Sequence, residues 1–195
     1  MKKTRSPISF FTALACAMPL SLAAQNAAPT ATAAAANPLY APWKGQEGRT
    51  VTFTRTERIS GGAPIPGGGE RAASSNSVQF TLSEFSAGQA VIKVVTAPNL
   101  PAETLAIPAT LMADDPAFPK SAGGEELKIG GKTYSCVKYT YSTASKAELG
   151  RDPQGLRGRV TVWVADGVPG GVVQRHISLT IRASYDITDT LALAP

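Results

Sequence analysis

Between residues 173 and 188 the side chains alternate strictly enough to settle the local backbone. Val173, Ile177, Leu179, Ile181, Ala183, Tyr185 and Ile187 take the odd positions; Gln174, His176, Ser178, Thr180, Arg182, Ser184, Asp186 and Thr188 take the even ones. Arg175 is the exception on the odd side. A period of two sends successive side chains to opposite faces of a strand, whereas a helix would scatter them around its axis. The pattern predicts a strand with one face on a core and one in water, either a single bent strand or two.

The same period recurs upstream. Residues 49–59 set Thr50, Thr52, Thr54 and Thr56 opposite Val51 and Phe53. Residues 77–85 and 89–96 flank Ser86-Ala87-Gly88, and residues 126–129 and 132–142 flank Gly130-Gly131. Residues 159–165 and those from Val172 onward flank Pro169-Gly170. Gly-Gly supplies the paired positive φ of a two-residue hairpin, and Pro-Gly suits the centre of a type II turn. Eighteen glycines and fifteen prolines therefore punctuate a meander of strands. The predicted class is all-β and antiparallel, with room for one short helix around residues 102–112, where Pro108 interrupts. Residues 100–124 carry prolines at 101, 108, 116 and 119 and read either as a lid over a sheet face or as a crossover. The glycine-rich residues 61–69 read as an exposed loop.

The first 23 residues read as a secretory signal peptide. Lys2, Lys3 and Arg5 precede about a dozen mostly apolar residues, Pro19 breaks the run, and Ser21-Leu22-Ala23 offers small residues to a peptidase. The run is too short for a transmembrane span. Ala13-Leu14-Ala15-Cys16 offers a second route, in which Cys16 is lipidated and becomes the first mature residue, although leucine stands two positions before it rather than three. Residues 24–36 are rich in alanine, threonine and proline and read as a flexible linker, leaving residues 37–195 as one β domain. The expected location is the periplasm or the exterior, or the envelope if Cys16 is anchored. Removal of the three leading cations lowers the net charge from +5 to +2, so the basic balance belongs largely to the export address and gives no support to a nucleic-acid partner.

Few residues here support catalysis. One histidine and two cysteines exclude zinc clusters. With Cys16 gone, Cys136 has no intramolecular partner and reads as a buried thiol acting as a small hydrophobe. Gly131-Lys132-Thr133 resembles the end of a phosphate loop, but Glu126 stands where that motif needs glycine, and a strand follows rather than a helix. His176 and Ser178 share a strand face without an orienting carboxylate. The acids at 114, 115, 125 and 126 lack calcium-loop spacing. Arg151, Arg157 and Arg159 read as a polar turn. No catalytic residue, metal site or cofactor is assigned. Trp163, Tyr139 and Tyr141 are the candidate ligand-facing residues; the alternation leaves open which face of the Trp163 strand is buried.

Trp163-x-x-Asp166-x-Val168-Pro169-Gly170-Gly171-Val172-Val173, with Gly131-Lys132-x-Tyr134-x-Cys136 upstream, resembles a pattern in exported bacterial proteins of the LolA/LppX type. The segment from Asn37-Pro38 to Trp43, then Gly48 and Val51-x-Phe53, fits the same outline. The resemblance implies a strongly curved antiparallel sheet forming an open half-barrel, whose concave face holds lipid or another apolar ligand. It implies no catalytic residues. Two non-enzymatic readings follow: binding of an apolar small molecule, lipid or envelope protein, or an interaction module with a filled core. A hydrolase is the third.

Overall fold

Short turns between alternating segments build a meander only if consecutive strands pair, and in this protein most of them do. The computed structural model describes residues 33–60, 71–96, 99–149, 155–182 and 185–194, all within the unit Thr32–Pro195. The export segment, Cys16, residues 61–69 and Arg151 lie outside the described residues. The described strands are β1 (Ala34–Ala36), β2 (Thr50–Ser60), β3 (Arg71–Phe85), β4 (Gln89–Val95), β5 (Glu103–Pro108), β6 (Thr110–Met112), β7 (Lys120–Ile129), β8 (Lys132–Thr143), β9 (Gly158–Val164), β10 (Val172–Arg182) and β11 (Tyr185–Leu193). A 3-10 turn (Ala41–Trp43) and one helix, α1 (Lys146–Leu149), complete the set.

Nine strands form one antiparallel sheet in the order β5-β4-β3-β2-β11-β10-β9-β8-β7, while β1 and β6 pair apart from it. The two meanders join where β11 pairs with β2, with Leu193 opposite Phe53 and Leu191 opposite Arg55. The sheet is not closed: β5 and β7 are its two edges. It curls strongly all the same. β5 and β8 are seven spacings apart, roughly 34 Å along a flat sheet, yet Leu105 and Ile107 of β5 share a small cavity with Tyr141 of β8. Arg175 of β10 reaches to 5.5 Å from the ring centre of Phe80 on β3. The all-β, half-barrel-like architecture is therefore observed.

The concave face holds the largest buried cluster, and a second one gathers Cys136, Ala165, Val168 and Val173. In the largest, Val51 and Phe53, Val78, Phe80 and Leu82, Ala90, Ile92 and Val94, and Leu191 pack with Trp43 and Ala147. The threonines of β2 alternate with these residues and face outward, as the period requires. Residues 173–187 divide into two antiparallel strands, β10 and β11, rather than one bent strand.

Two expectations change. Residues 102–112 are not helical; they form β5 and β6. Leu105 and Ile107 alternate with the exposed Thr104 and Ala106, and Pro108 ends a strand at the sheet edge, where a missing donor costs no ladder bond. Residues 100–124 thus become edge strands and a crossover rather than a lid. Ala34–Ala36, at the end of the expected linker, pair with Thr110–Met112, so ordered structure starts before Asn37.

Candidate functional site

Two short pieces of chain cover the concave face. The first is a strap, residues 37–43. Asn37 donates from its backbone N to Ala109 O and from Nδ2 to Pro108 O, both at 2.9 Å, anchoring one end beside β5 and β6. Tyr40 stacks on Phe85 at 4.6 Å between ring centres, and its hydroxyl donates to Ser86 O. Trp43, only 2% exposed, docks on the turn between β9 and β10. That turn is closed by Gly171 N donating to Val168 O at 2.8 Å, and Gly170 holds a φ of 69°, as a type II turn centred on Pro169-Gly170 requires. A Cβ on Gly170 would stand 2.3 Å from Cζ2 of the Trp43 ring, and one on Gly171 would stand 2.7 Å from Val164 and 2.9 Å from Pro42. Glycine is needed here both for conformation and for close approach. Two separate sequence motifs are thereby one contact.

The second piece is α1. Four residues cannot sustain a helix unaided, so tertiary contacts hold it. Ala147 and Leu149 are buried in the concave face. Arg55 Nη2 donates to Leu149 O at 3.2 Å and Arg175 Nη2 to Glu148 O at 3.0 Å, two cations at the carbonyl end of the helix. Lys146 pairs with Glu103 of β5 at 2.6 Å. The Tyr141 hydroxyl donates to Glu148 Oε1 at 2.6 Å. Burial, and next the Glu148 carboxylate, push the Tyr141 phenol pKa well above the usual tyrosine value, against the opposing pull of Arg175.

Beneath strap and helix the core leaves a cavity of about 30 Å³, bordered by Leu39, Trp43, Phe80, Tyr141, Glu148 and Arg175. That holds a water or two, not a ligand. Larger openings lie on either side of the strap. One is a groove of about 550 Å³ between Pro38, Ala41 and Pro42 of the strap, Val137 and Tyr139 of β8, and Val164 to Pro169. Its wall is apolar where Val137, 42% exposed, stands beside Tyr139 and Val164; Gln46, Arg49 and Asp166 supply polar groups. Gln46 Oε1 is itself buried, without a hydrogen-bond partner among the described residues. The other is a pocket of about 220 Å³ beside edge strand β5, lined by Leu39, Leu105, Ile107, Leu111, Tyr141 and Glu148 among others.

Of the sequence candidates, Tyr139 borders the groove and Tyr141 the pocket, both from one face of β8. Trp163 is not brought to them. Register pairs Trp163 with Lys138 and Tyr139 with Val162, placing the indole on the opposite face of the sheet. There Trp163 Nε1 donates to Glu125 Oε2 at 2.9 Å, and Lys138 Nζ stands 3.2 Å from the same oxygen. The indole hydrogen bond, then Lys138, hold the Glu125 pKa below its usual value. Cys136 is free and 3% exposed. Burial, followed by the charge of Glu125, raises its thiol pKa. His176 lies on the outer face of β10 opposite Thr161 and Thr190. Asp115 Oδ1 accepts from Ala117 N at 2.8 Å within a turn. Among the described residues, no group of three or more His, Cys, Asp or Glu side chains is placed to hold a metal.

Sequence reasoning missed Gln46, Glu148 and the role of Arg175. Arg175 did carry a signal, as the one charge on the apolar side of the alternation. Gln46 and Glu148 carry none, because their positions depend on how the strap and α1 dock.

No protein-family model and no curated protein sequence matches the chain. Among solved structures, the lipoprotein LppX of Mycobacterium tuberculosis is similar over 73% of this chain and 85% of its own, with 16% identity and a TM-score of 0.33. A LolA-superfamily protein of Nitrosomonas europaea is similar over 77% and 88%, with 9% identity and a TM-score of 0.21. Both are of the type that the sequence motifs resemble. No helix among the described residues is long and apolar enough to cross a membrane.

Proposed function

We propose that the protein is an exported, non-enzymatic β domain that binds a small amphiphile in the groove between the strap and β8. The observation that carries this reading is the groove itself. Val137 stays 42% exposed beside Tyr139 and Val164 within a concavity of about 550 Å³. That size suits a small-molecule site, and covering the apolar wall gains about 25 cal/mol for each Å² removed from water. Gln46, Arg49 and Asp166 line the same groove, so the fitting ligand pairs an apolar body with a polar head. The filled interior, with its cavity of about 30 Å³, supports a second reading as an interaction module. The export segment supports a periplasmic or secreted location, with anchoring through Cys16 as the variant.

Calorimetric titration with octyl glucoside below its micellar concentration tests the groove. Saturable binding is expected, weakened about tenfold or more by Val137→Asp, which places a charge against the ligand's apolar part. His176→Ala on the outer face should leave binding unchanged. No saturable binding, or equal binding by Val137→Asp, would contradict the proposal and favour the interaction module.

A further inference from the structure

The most costly group in the concave face is Arg175. It is 5% exposed, stands against the Phe80 ring, and has apolar neighbours in Val162, Val172 and Ile92 around the small inner cavity. A buried guanidinium needs its donors paired, yet Arg175 is incompletely served. Nη2 donates to Glu148 O at 3.0 Å. The nearest carboxylate oxygen, Glu148 Oε1, is 3.7 Å from Nη1, beyond hydrogen-bond reach, and is already taken by the Tyr141 hydroxyl at 2.6 Å. Nε is buried with no partner among the described residues.

The small inner cavity beside this cation shares a mostly apolar wall with the pocket beside β5. Leu39, Leu105, Ile107, Tyr141 and Glu148 border both the pocket of about 220 Å³ and the inner cavity onto which Arg175 opens. Glu148 therefore stands at the junction of the two. It belongs to a helix of one turn, whose own backbone bonds contribute little to holding it.

We infer that the pocket beside β5 is a binding site for a medium-chain carboxylate, whose head group takes the place of the Glu148 side chain on Arg175. The alkyl chain lies against Leu39, Leu105, Ile107 and Leu111, and the carboxylate engages the guanidinium, including Nε, as a charge-assisted pair. Glu148 is the internal stand-in for that head group. The site lies across the strap from the groove beside Val137 and Tyr139, so either can fail alone.

Calorimetric titration of the full chain with decanoate and 1-decanol, both below aggregation, tests this. Decanoate is expected to bind saturably at one per chain, at least about thirtyfold more tightly than decanol. Glu148→Gln removes the competing charge and keeps an acceptor for Tyr141, so it should tighten decanoate binding while leaving decanol unchanged. The double variant Arg175→Met with Glu148→Gln, which removes both charges together, should abolish the preference. Equal binding of acid and alcohol, or weaker decanoate binding in Glu148→Gln, would overturn the inference. So would loss of the preference in Val137→Asp, which would place the carboxylate in the groove.

Discussion

A methyl group at Gly170 meets two penalties at once. With φ at 69°, an L-residue pays about 1–2 kcal/mol for the left-handed conformation. The added Cβ also displaces the Trp43 ring, an overpacking cost of about 1–3 kcal/mol. Gly170→Ala should therefore lose about 2–5 kcal/mol in urea denaturation. Gly167→Ala is the control, since φ is 78° but nothing lies within 4 Å of its Cβ, leaving the conformational penalty alone. Equal losses would show that the strap does not bear on the turn. At this scale the sequence was informative about conformation and silent about contact. Pro169-Gly170 announced the turn, but that Trp43 rests on it depends on a register no local pattern encodes. Trp163 shows the same limit: alternation gave it a strand and two faces, and only pairing with Lys138 chose the outer one.

Among the elements, α1 is the one whose existence local sequence could not support. Lys146, Ala147, Glu148 and Leu149 are all good helix formers, but four residues are too few to nucleate a helix or to show its period, and the period-two rule had no purchase there. The strands were legible because each carries its own alternation. The helix expected at residues 102–112 does not form because the run lies at the sheet edge, where Leu105 and Ile107 follow a period of two. Docking of α1 has an alkaline signature. The unfolded chain loses its tyrosine protons near about pH 10, whereas folded Tyr141 keeps its own to higher pH. This contribution to stability is thus fully present below about pH 10 and is lost as pH rises towards the folded-state value. Tyr141→Phe should make that alkaline decline shallower. It should also cost about 1–3 kcal/mol at pH 7, because Glu148 loses its hydroxyl donor. An unchanged alkaline slope, measured by denaturation across pH 8–11, would mean that α1 does not shield Tyr141 as described.

For the whole molecule, the proposed function rests on curvature, and curvature is what strand patterns least reveal. Alternation is the same in a flat sheet and a curled one. The curl becomes visible only when β5 and β8, far apart along the sheet, are found to border one cavity. It turns one face inward, fills much of it with Phe53, Phe80 and Trp43, and among the described residues leaves a groove and a pocket beside the strap. Arg175, the lone break in the alternation, proves to be a charge buried within that curve, as Arg55 of β2 also is. The central claim is that ligand meets the protein on the concave side, beside the strap. Amide chemical-shift mapping during titration with octyl glucoside tests it most directly. Shifts should cluster at Gln46, Val137, Tyr139, Val164 and Ala165, with none at His176, Thr161 or Thr190 on the outer face. Shifts confined to that outer face or to the edges of β5 and β7, or no shifts at all, would contradict it.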